Sequence, residues 1–174
     1  MIQRDLTHAP IFALPPGYAM RAYRASDVAN WVCIQQAADP FFVAEAKHFS
    51  DSMPGNTAYL AARVLFLVDG SGTDIGTIAA WNDAEFEVRE MGHIHWVAIV
   101  RAAQGRGLAK PMLSAACAAL RSHGYTEAWL ETNTARIPAL NLYGQFGFKP
   151  HPRSEAEREA WRAVAPRLKF VVEV

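Results

Sequence analysis

The sequence lacks an excess of charge of either sign. Among its 174 residues, 17 are Lys or Arg and 17 are Asp or Glu, which leaves a formal net charge of zero at neutral pH. Balanced charge provides no general attraction to nucleic acid or to an acidic membrane surface. The composition therefore favours a small-molecule or peptide partner over nucleic acid or a membrane.

Cysteine is scarce, and long apolar runs are missing. Cys33 and Cys117 are the two cysteines. Because each lies in a helix-like segment outside any metal-ligand or redox spacing, we expect two buried, reduced thiols and no metal site. No apolar run approaches the roughly 20 residues of a membrane span. Arg4, Asp5 and the early prolines interrupt the apolar core of a signal peptide, so we expect a cytoplasmic protein.

The rest of the composition is that of a globular protein. Hydrophobic residues make up 51% of the chain and charged residues 20%, and a chain of this length suits one domain with a substantial core. Pro10, Pro15 and Pro16 predict an irregular N-terminal arm over residues 1–16. We find no internal repeat, and we expect a single domain over residues 1–174.

Hydrophobic periodicity predicts a mixture of strands and helices. Apolar runs predict strands at residues 17–24, 58–68, 74–82, 91–100, 127–132 and 168–174. Helical spacing and capping residues predict helices after Ser26 and Asp27 and at residues 41–49, 108–123, 137–146 and 154–165. This order indicates an α/β fold in which a mixed sheet carries helices on both faces.

The most informative segment is the strand, loop and helix around residues 94–109. The strand runs into Arg-Ala-Ala-Gln-Gly-Arg-Gly, and a helix follows from Leu108. A helix start offers unpaired backbone N–H groups, and Gly105 and Gly107 let the backbone approach a phosphate closely. The spacing argues against a dinucleotide-binding loop, because Lys110 stands where the third glycine is required, and no Gly-Lys-Ser or Gly-Lys-Thr indicates an NTPase loop.

Two segments together resemble signatures of the GCN5-related N-acetyltransferase (GNAT) family. One is Gln104-x-x-Gly107-x-Ala109, and the other is Ala-Leu-Asn-Leu-Tyr-Gly-Gln-Phe-Gly-Phe at residues 139–148. The resemblance covers residues 17–150 and leaves a C-terminal helix and strand at residues 151–174. It implies a central mixed, mostly antiparallel sheet of about seven strands flanked by helices on both faces. It also implies an acetyl-CoA-dependent N-acetyltransferase in which a primary amine attacks the thioester directly.

The resemblance further implies which residues hold the coenzyme. The pantetheine arm would pair with the backbone of Val97, Ala98 and Ile99, if that strand splays from its neighbour. The family commonly has asparagine where this chain has Arg136, so we expect Arg136 to reach the coenzyme phosphates or to pack elsewhere. The pyrophosphate would lie against the loop formed by Gln104, Gly105, Arg106, Gly107, Leu108 and Ala109.

Three side chains are the main candidates for the chemistry. An alkyl ammonium with a pKa near 10.4 must lose its proton before it attacks. His93 and His95 share one face of the strand and have the ordinary pKa of a base that works near neutrality. The resemblance slightly favours His93, and it places Tyr143 beside the coenzyme sulfur, where the hydroxyl would protonate or hydrogen-bond the departing thiolate.

Several other assignments stay open. A coenzyme-A-binding regulatory domain without turnover is the alternative function, and the helix at residues 154–165 with the final strand is a candidate homodimer interface. Aromatic residues that form either an acceptor pocket or part of the core are Phe41, Phe42, Phe49 and Trp81. The alternative bases are Glu90 and Glu87, and carboxylates that could act as a base or bind a cationic amine are Asp39, Glu45 and Glu131.

Overall fold

A six-stranded sheet organises the part of the chain that the structure describes. The structure, a computed structural model, describes residues 1–83 and 90–174. The strands are β1 (Ile2–Gln3), β2 (Ala19–Ala22), β3 (Val64–Val68), β4 (Asp74–Asp83), β5 (Met91–Ile99) and β6 (Ala128–Trp129). Their order is β1-β6-β5-β4-β3-β2, and neighbours are antiparallel except for the parallel pair of β5 and β6. The predicted mixed, mostly antiparallel sheet is confirmed, with six strands in the described residues where about seven were expected.

Helices cover both faces of this sheet, as predicted. They are α1 (Val28–Ala38), α2 (Ala46–Ser52), α3 (Thr57–Ala61), α4 (Ala109–Ser122), α5 (Ile137–Gln145) and α6 (Glu155–Val164). Successive residues of β4 project to opposite faces. Ile78 belongs to the core cluster that contains Met112 of α4, whereas Ala79 belongs to the cluster that contains Trp31 of α1. Within the described ranges, no helix is long and apolar enough to cross a membrane.

The two ends of the chain differ from prediction. The expected strand at residues 168–174 does not form, because β1 already occupies the sheet edge beside β6. The C-terminal segment instead lies along α5, where the Lys169 N–H donates to Asn141 Oδ1 at 2.7 Å. The prediction of an irregular arm over residues 1–16 was also wrong for its first part. Ile2 pairs with Trp129 of β6, and Leu6 is fully buried in the α4 cluster.

Local capping explains two further differences. The strand expected at residues 58–68 begins only at Val64, because Asn56 accepts a hydrogen bond from the Tyr59 N–H at 2.9 Å and starts α3. The helix expected at residues 41–49 begins only at Ala46, where Glu45 and His48 form a reciprocal capping box. The strand expected at residues 127–132 shortens to β6, and Cys33 proves exposed although Cys117 is buried as expected.

Candidate active site

β5 and β6 pair only at their beginnings in the described sheet. Gly92 aligns with Ala128 and His93 with Trp129, and residues 94–99 of β5 have no β6 partner there. On its other side β5 stays paired with β4 across a bulge, at which Trp96 has a φ of 50°. The backbone at residues 97–99 therefore borders a gap on the β6 side of β5, beyond Trp129, the last residue of β6.

The loop after β5 takes its shape from glycine and from one side-chain hydrogen bond. Gly105 and Gly107 have φ values of 76° and 78°, in the left-handed region that side chains with a Cβ disfavour. Gln104 Nε2 donates to the Ile99 carbonyl at 2.8 Å and ties the loop to the end of β5. Arg106 folds back on the loop, donating to the Ala102 carbonyl at 2.8 Å.

The start of α4 is suited to an anion. Leu108 occupies the N-cap position, no side chain of the described residues caps the helix, and the first turn contains no acidic residue. The N–H groups of this turn therefore lack side-chain partners, and Lys110 adds a cation. A pyrophosphate, such as that of coenzyme A, fits this loop and helix start.

The two histidines lie together on the opposite face of β5 from α4. Their ring centroids are 4.3 Å apart, and His93 stacks on Trp129 at 3.8 Å. His93 is 6% exposed, and its Nε2 has no hydrogen-bond partner among the described residues. Burial, with a further contribution from His95, lowers the pKa of His93 to about 3. His93 is therefore neutral and weakly basic at neutral pH, whereas His95 is only half-buried.

Tyr143 lies inside the protein near the gap. It belongs to the same packed cluster as Val97 and Ile99 of β5, and its ring meets Phe148 edge-on at 6.2 Å. Burial raises the pKa of Tyr143 to about 12. The phenol therefore keeps its proton at neutral pH.

Arg136 stands at the N-cap of α5 and contacts an acceptor-side residue. Its Nη2 lies 2.8 Å from Asp39 Oδ2 in the segment after α1, and the two side chains form an ion pair. This position ties the α1 side of the molecule to α5. A direct role of Arg136 in binding coenzyme phosphates stays a prediction, and the observed contact agrees with packing elsewhere.

A cavity of about 580 Å³ opens between the segment after β6 and α6. Sequence reasoning considered Glu131 and Arg136 but missed the aromatic and C-terminal part of this lining, because the alternation of charge and alanine in α6 suggests only an exposed helix. The single signal there is Trp161 within that polar helix. Residues that line the cavity include Trp129, Glu131, Arg136, Arg153, Glu157 and Trp161.

The four aromatic residues for which the sequence left open a pocket or the core do not come together as one pocket, and two of them are in the core. Phe41 is 93% exposed, whereas Phe49 and Trp81 are buried in the core cluster of α1. Phe42 packs near Trp96, with 5.6 Å between ring centroids. Of the alternative bases, Glu90 is exposed. Glu87 lies outside the described residues.

A glycine-containing loop and a helix start suited to phosphate follow a strand that is open on one side, an arrangement typical of α/β proteins that bind phosphate-bearing ligands. The sequence model of the Acetyltransferase (GNAT) family matches residues 30–148, and the chain belongs to that family. The resemblance seen in the sequence is confirmed.

The named relatives of this chain are also acetyltransferases. The N-alpha-acetyltransferase MAK3 of Arabidopsis thaliana is 26% identical over 114 residues, and the match covers 66% of this chain and 55% of that protein. A GCN5-related N-acetyltransferase from Sphaerobacter thermophilus has a TM-score of 0.66 at 21% identity, covering 80% of this chain and 43% of the other. This chain thus spans about half the length of these first relatives.

A third relative is a chain of the NatC complex bound to Gag peptide and CoA. Its TM-score is 0.62 at 21% identity, and the match covers 81% of this chain and 92% of that one. At such identities the likeness to solved structures shows the shared fold.

Proposed function

We propose that this chain is an acetyl-CoA-dependent N-acetyltransferase that moves an acetyl group to a primary amine of a small molecule or peptide. The observation that carries the proposal is the uncapped start of α4, which follows directly on a strand that is open on its β6 side. Family membership supports the reaction class. The names of MAK3 and of the CoA-bound NatC complex support an amine acceptor and the coenzyme.

The loop and strand hold the donor through backbone groups. The N–H groups from Gly105 to Ala109 bind the pyrophosphate, and the left-handed glycines aim them outward. The backbone of Val97, Ala98 and Ile99 pairs with the pantetheine amides as an added strand would. Gln104 shapes the loop through Ile99 rather than through the ligand.

Two side chains, His95 and Tyr143, carry out the proton transfer and the hydrogen bonding. When bound, acetyl-CoA supplies the carbonyl carbon to which the amine nitrogen bonds as the carbon–sulfur bond breaks. His95 takes the ammonium proton, directly or through water, because the lowered pKa of His93 leaves it too weak a base. Tyr143 keeps its proton and donates a hydrogen bond to the departing sulfur. The sequence alone favoured His93, so this assignment moves the role one step along the strand face.

Two measurements test the proposal. Saturating acetyl-CoA should raise the melting temperature, because a ligand that binds only the folded state stabilises it by mass action. A panel of amines should then accelerate the release of free CoA thiol. Binding without thiol release from any amine would indicate a coenzyme-binding domain without turnover, and no thermal shift would exclude both functions. The single domain, the homodimer and the cytoplasmic location stay predictions.

A further inference from the structure

The cavity beside α6 adjoins the histidine pair on the face opposite α4. Gly92 of β5 faces α4, since a Cβ there would lie 2.8 Å from the Leu120 side chain. His93 is the next residue and projects to the other face, where the ring of Trp129 stacks on it. Because Trp129 stacks on His93 and also lines the cavity, this one indole connects the cavity to the histidine pair, on the other side of the sheet from α4.

Two tryptophans provide apolar walls. Trp129 and Trp161 are 7% and 8% exposed. Of the ten residues of α6, all of which the structure describes, Trp161 alone is buried. Attachment of α6 therefore depends on the side chain that lines the cavity. The volume of about 580 Å³ is in the range of small-molecule sites, and indole faces bind flat rings and cations.

One carboxylate at the cavity is held by the helix, and another is available. Glu157 accepts a hydrogen bond from the Arg153 N–H at 2.6 Å, which fixes it at the start of α6. The Glu131 side chain is 70% exposed and lies 3.6 Å from the Arg153 guanidinium. This exposed, long ion pair is weak, so Glu131 can exchange Arg153 for a ligand cation.

The charge around the cavity favours a cation. Arg136 is paired with Asp39, and the Arg153 guanidinium is paired with Glu131. The contact of Arg153 with Glu157 is made by its uncharged backbone N–H. The amino group of Met1 also borders the cavity, but burial lowers its pKa to about 6, so it is largely uncharged at neutral pH. The cavity lining itself contains two carboxylates, Glu131 and Glu157, and two guanidinium groups, beside His151. Asp39, which pairs with Arg136 from outside the lining, adds a third carboxylate next to the cavity.

We propose that this cavity is the acceptor site and that it selects a small cationic amine carrying a flat apolar ring. The ring packs on Trp129 and Trp161, and the ammonium group is bound by Glu131. The inference rests on the proposed acetyl transfer, and it chooses one class among the amines which that function allows.

The direct test compares acceptors by thiol release with acetyl-CoA. Tryptamine and 2-phenylethylamine should give a kcat/KM at least about tenfold above spermidine and above a tripeptide with a free N-terminus. Faster turnover of the tripeptide or of spermidine overturns the acceptor class and leaves the acetyltransferase intact. Failure of acetyl-CoA to bind overturns the proposed function instead.

Calorimetric binding of tryptamine provides a readout without turnover. Trp161→Ala should weaken this binding about tenfold or more, and Trp161→Phe should keep most of it, because an aromatic wall and the anchor of α6 remain. If Trp161→Ala unfolds α6, Trp161→Phe and the Glu131 variants carry the test. Absence of tryptamine binding to the unmodified protein overturns the inference.

Glu155, a carboxylate on α6, gives a control for Glu131. Glu131→Gln should raise KM for the ring amines about fivefold to tenfold with little change in kcat, and Glu131→Asp should recover part of the loss. Glu155 is paired with Arg158 and Arg162 on α6 and is not among the cavity residues described above. Glu155→Gln should leave KM unchanged, and equal effects of Glu131→Gln and Glu155→Gln contradict a specific ammonium contact.

Discussion

The two faces of the β5–β6 gap are built in different ways. On the α4 face, one continuous stretch from Val97 to Ala109 supplies the proposed coenzyme site, largely through its backbone. On the other face, the proposed acceptor site combines β5, the segment after β6 and α6. Backbone recognition needs glycines at fixed positions and can be recognised in a sequence. Side-chain recognition by distant elements requires the folded protein.

Burial acts on both faces but shifts pKa values in opposite directions. It raises the pKa of Tyr143 to about 12 and lowers that of His93 to about 3. In each case the charged form loses hydration, so the neutral form is favoured. The Tyr143 phenol and the His93 imidazole are therefore both neutral at neutral pH, which is why we propose the half-buried His95 as the histidine that carries the proton.

The largest effect is expected from a substitution in the loop of the proposed coenzyme site, on the α4 face. Gly107→Val places a β-branched side chain at a φ of 78°, where left-handed backbone costs about 1–2 kcal/mol. Rearrangement of the loop would misdirect its N–H groups, so the affinity for acetyl-CoA should fall by about 10- to 100-fold. Isothermal titration calorimetry measures this change.

Gly124→Val is the matched control. Gly124 has a φ of 89° just after α4, and a Cβ there would meet no atom within 4 Å, as at Gly107. Its substitution should lower stability by a similar amount and leave coenzyme affinity unchanged. Equal losses of affinity in the two variants would falsify the assignment of the loop to the coenzyme.

The second effect concerns the chemistry. Tyr143→Phe should lower kcat about tenfold or more while the dissociation constant of acetyl-CoA stays within about twofold, because only the hydroxyl is removed. Pre-steady-state thiol release together with calorimetry separates the two quantities. An unchanged kcat would show that the sulfur departs without help from Tyr143.

The sequence predicted the proposed coenzyme site on the α4 face better than the acceptor side on the other face. The spacing of Gly105 and Gly107 predicted the loop, and the structure gives both glycines the left-handed backbone that a close approach requires. On the acceptor side the sequence left open whether the aromatic residues form a pocket or the core; Phe41 is exposed to solvent and Phe49 packs in the core. The directions of these aromatic side chains depend on where α2 begins. The capping box formed by Glu45 and His48 starts this helix at Ala46.

The third effect tests the buried histidine through stability. The unfolded chain protonates His93 with an ordinary pKa of about 6.5, whereas the folded protein does so only near pH 3. Between these values the unfolded state binds more protons, so stability falls as the pH is lowered. From pH 7 to pH 5, His93 should account for a loss of about 2 kcal/mol.

Urea unfolding at the two pH values measures this loss. His93→Gln removes the titrating group, so the difference in unfolding free energy between pH 7 and pH 5 should shrink by about that amount. The same pH dependence in both proteins would show that His93 is accessible to protons in the folded state, and His93 would again be a candidate base.

The smallest effect is expected at the ion pair between Asp39 and Arg136, which connects the two faces. Asp39 and Arg136 form an ion pair at 2.8 Å with side chains 34% and 61% exposed, so Asp39→Asn should change the unfolding free energy by less than about 1 kcal/mol.

Because Arg136 borders the cavity, loss of its partner makes the cavity less negative. KM for a cationic amine should therefore rise about twofold to threefold at low salt, and the rise should fade at high salt. A double-mutant cycle with Arg136→Gln isolates the pair. A salt-independent KM would mean that the contact between α1 and α5 shapes the cavity sterically and contributes nothing to its charge.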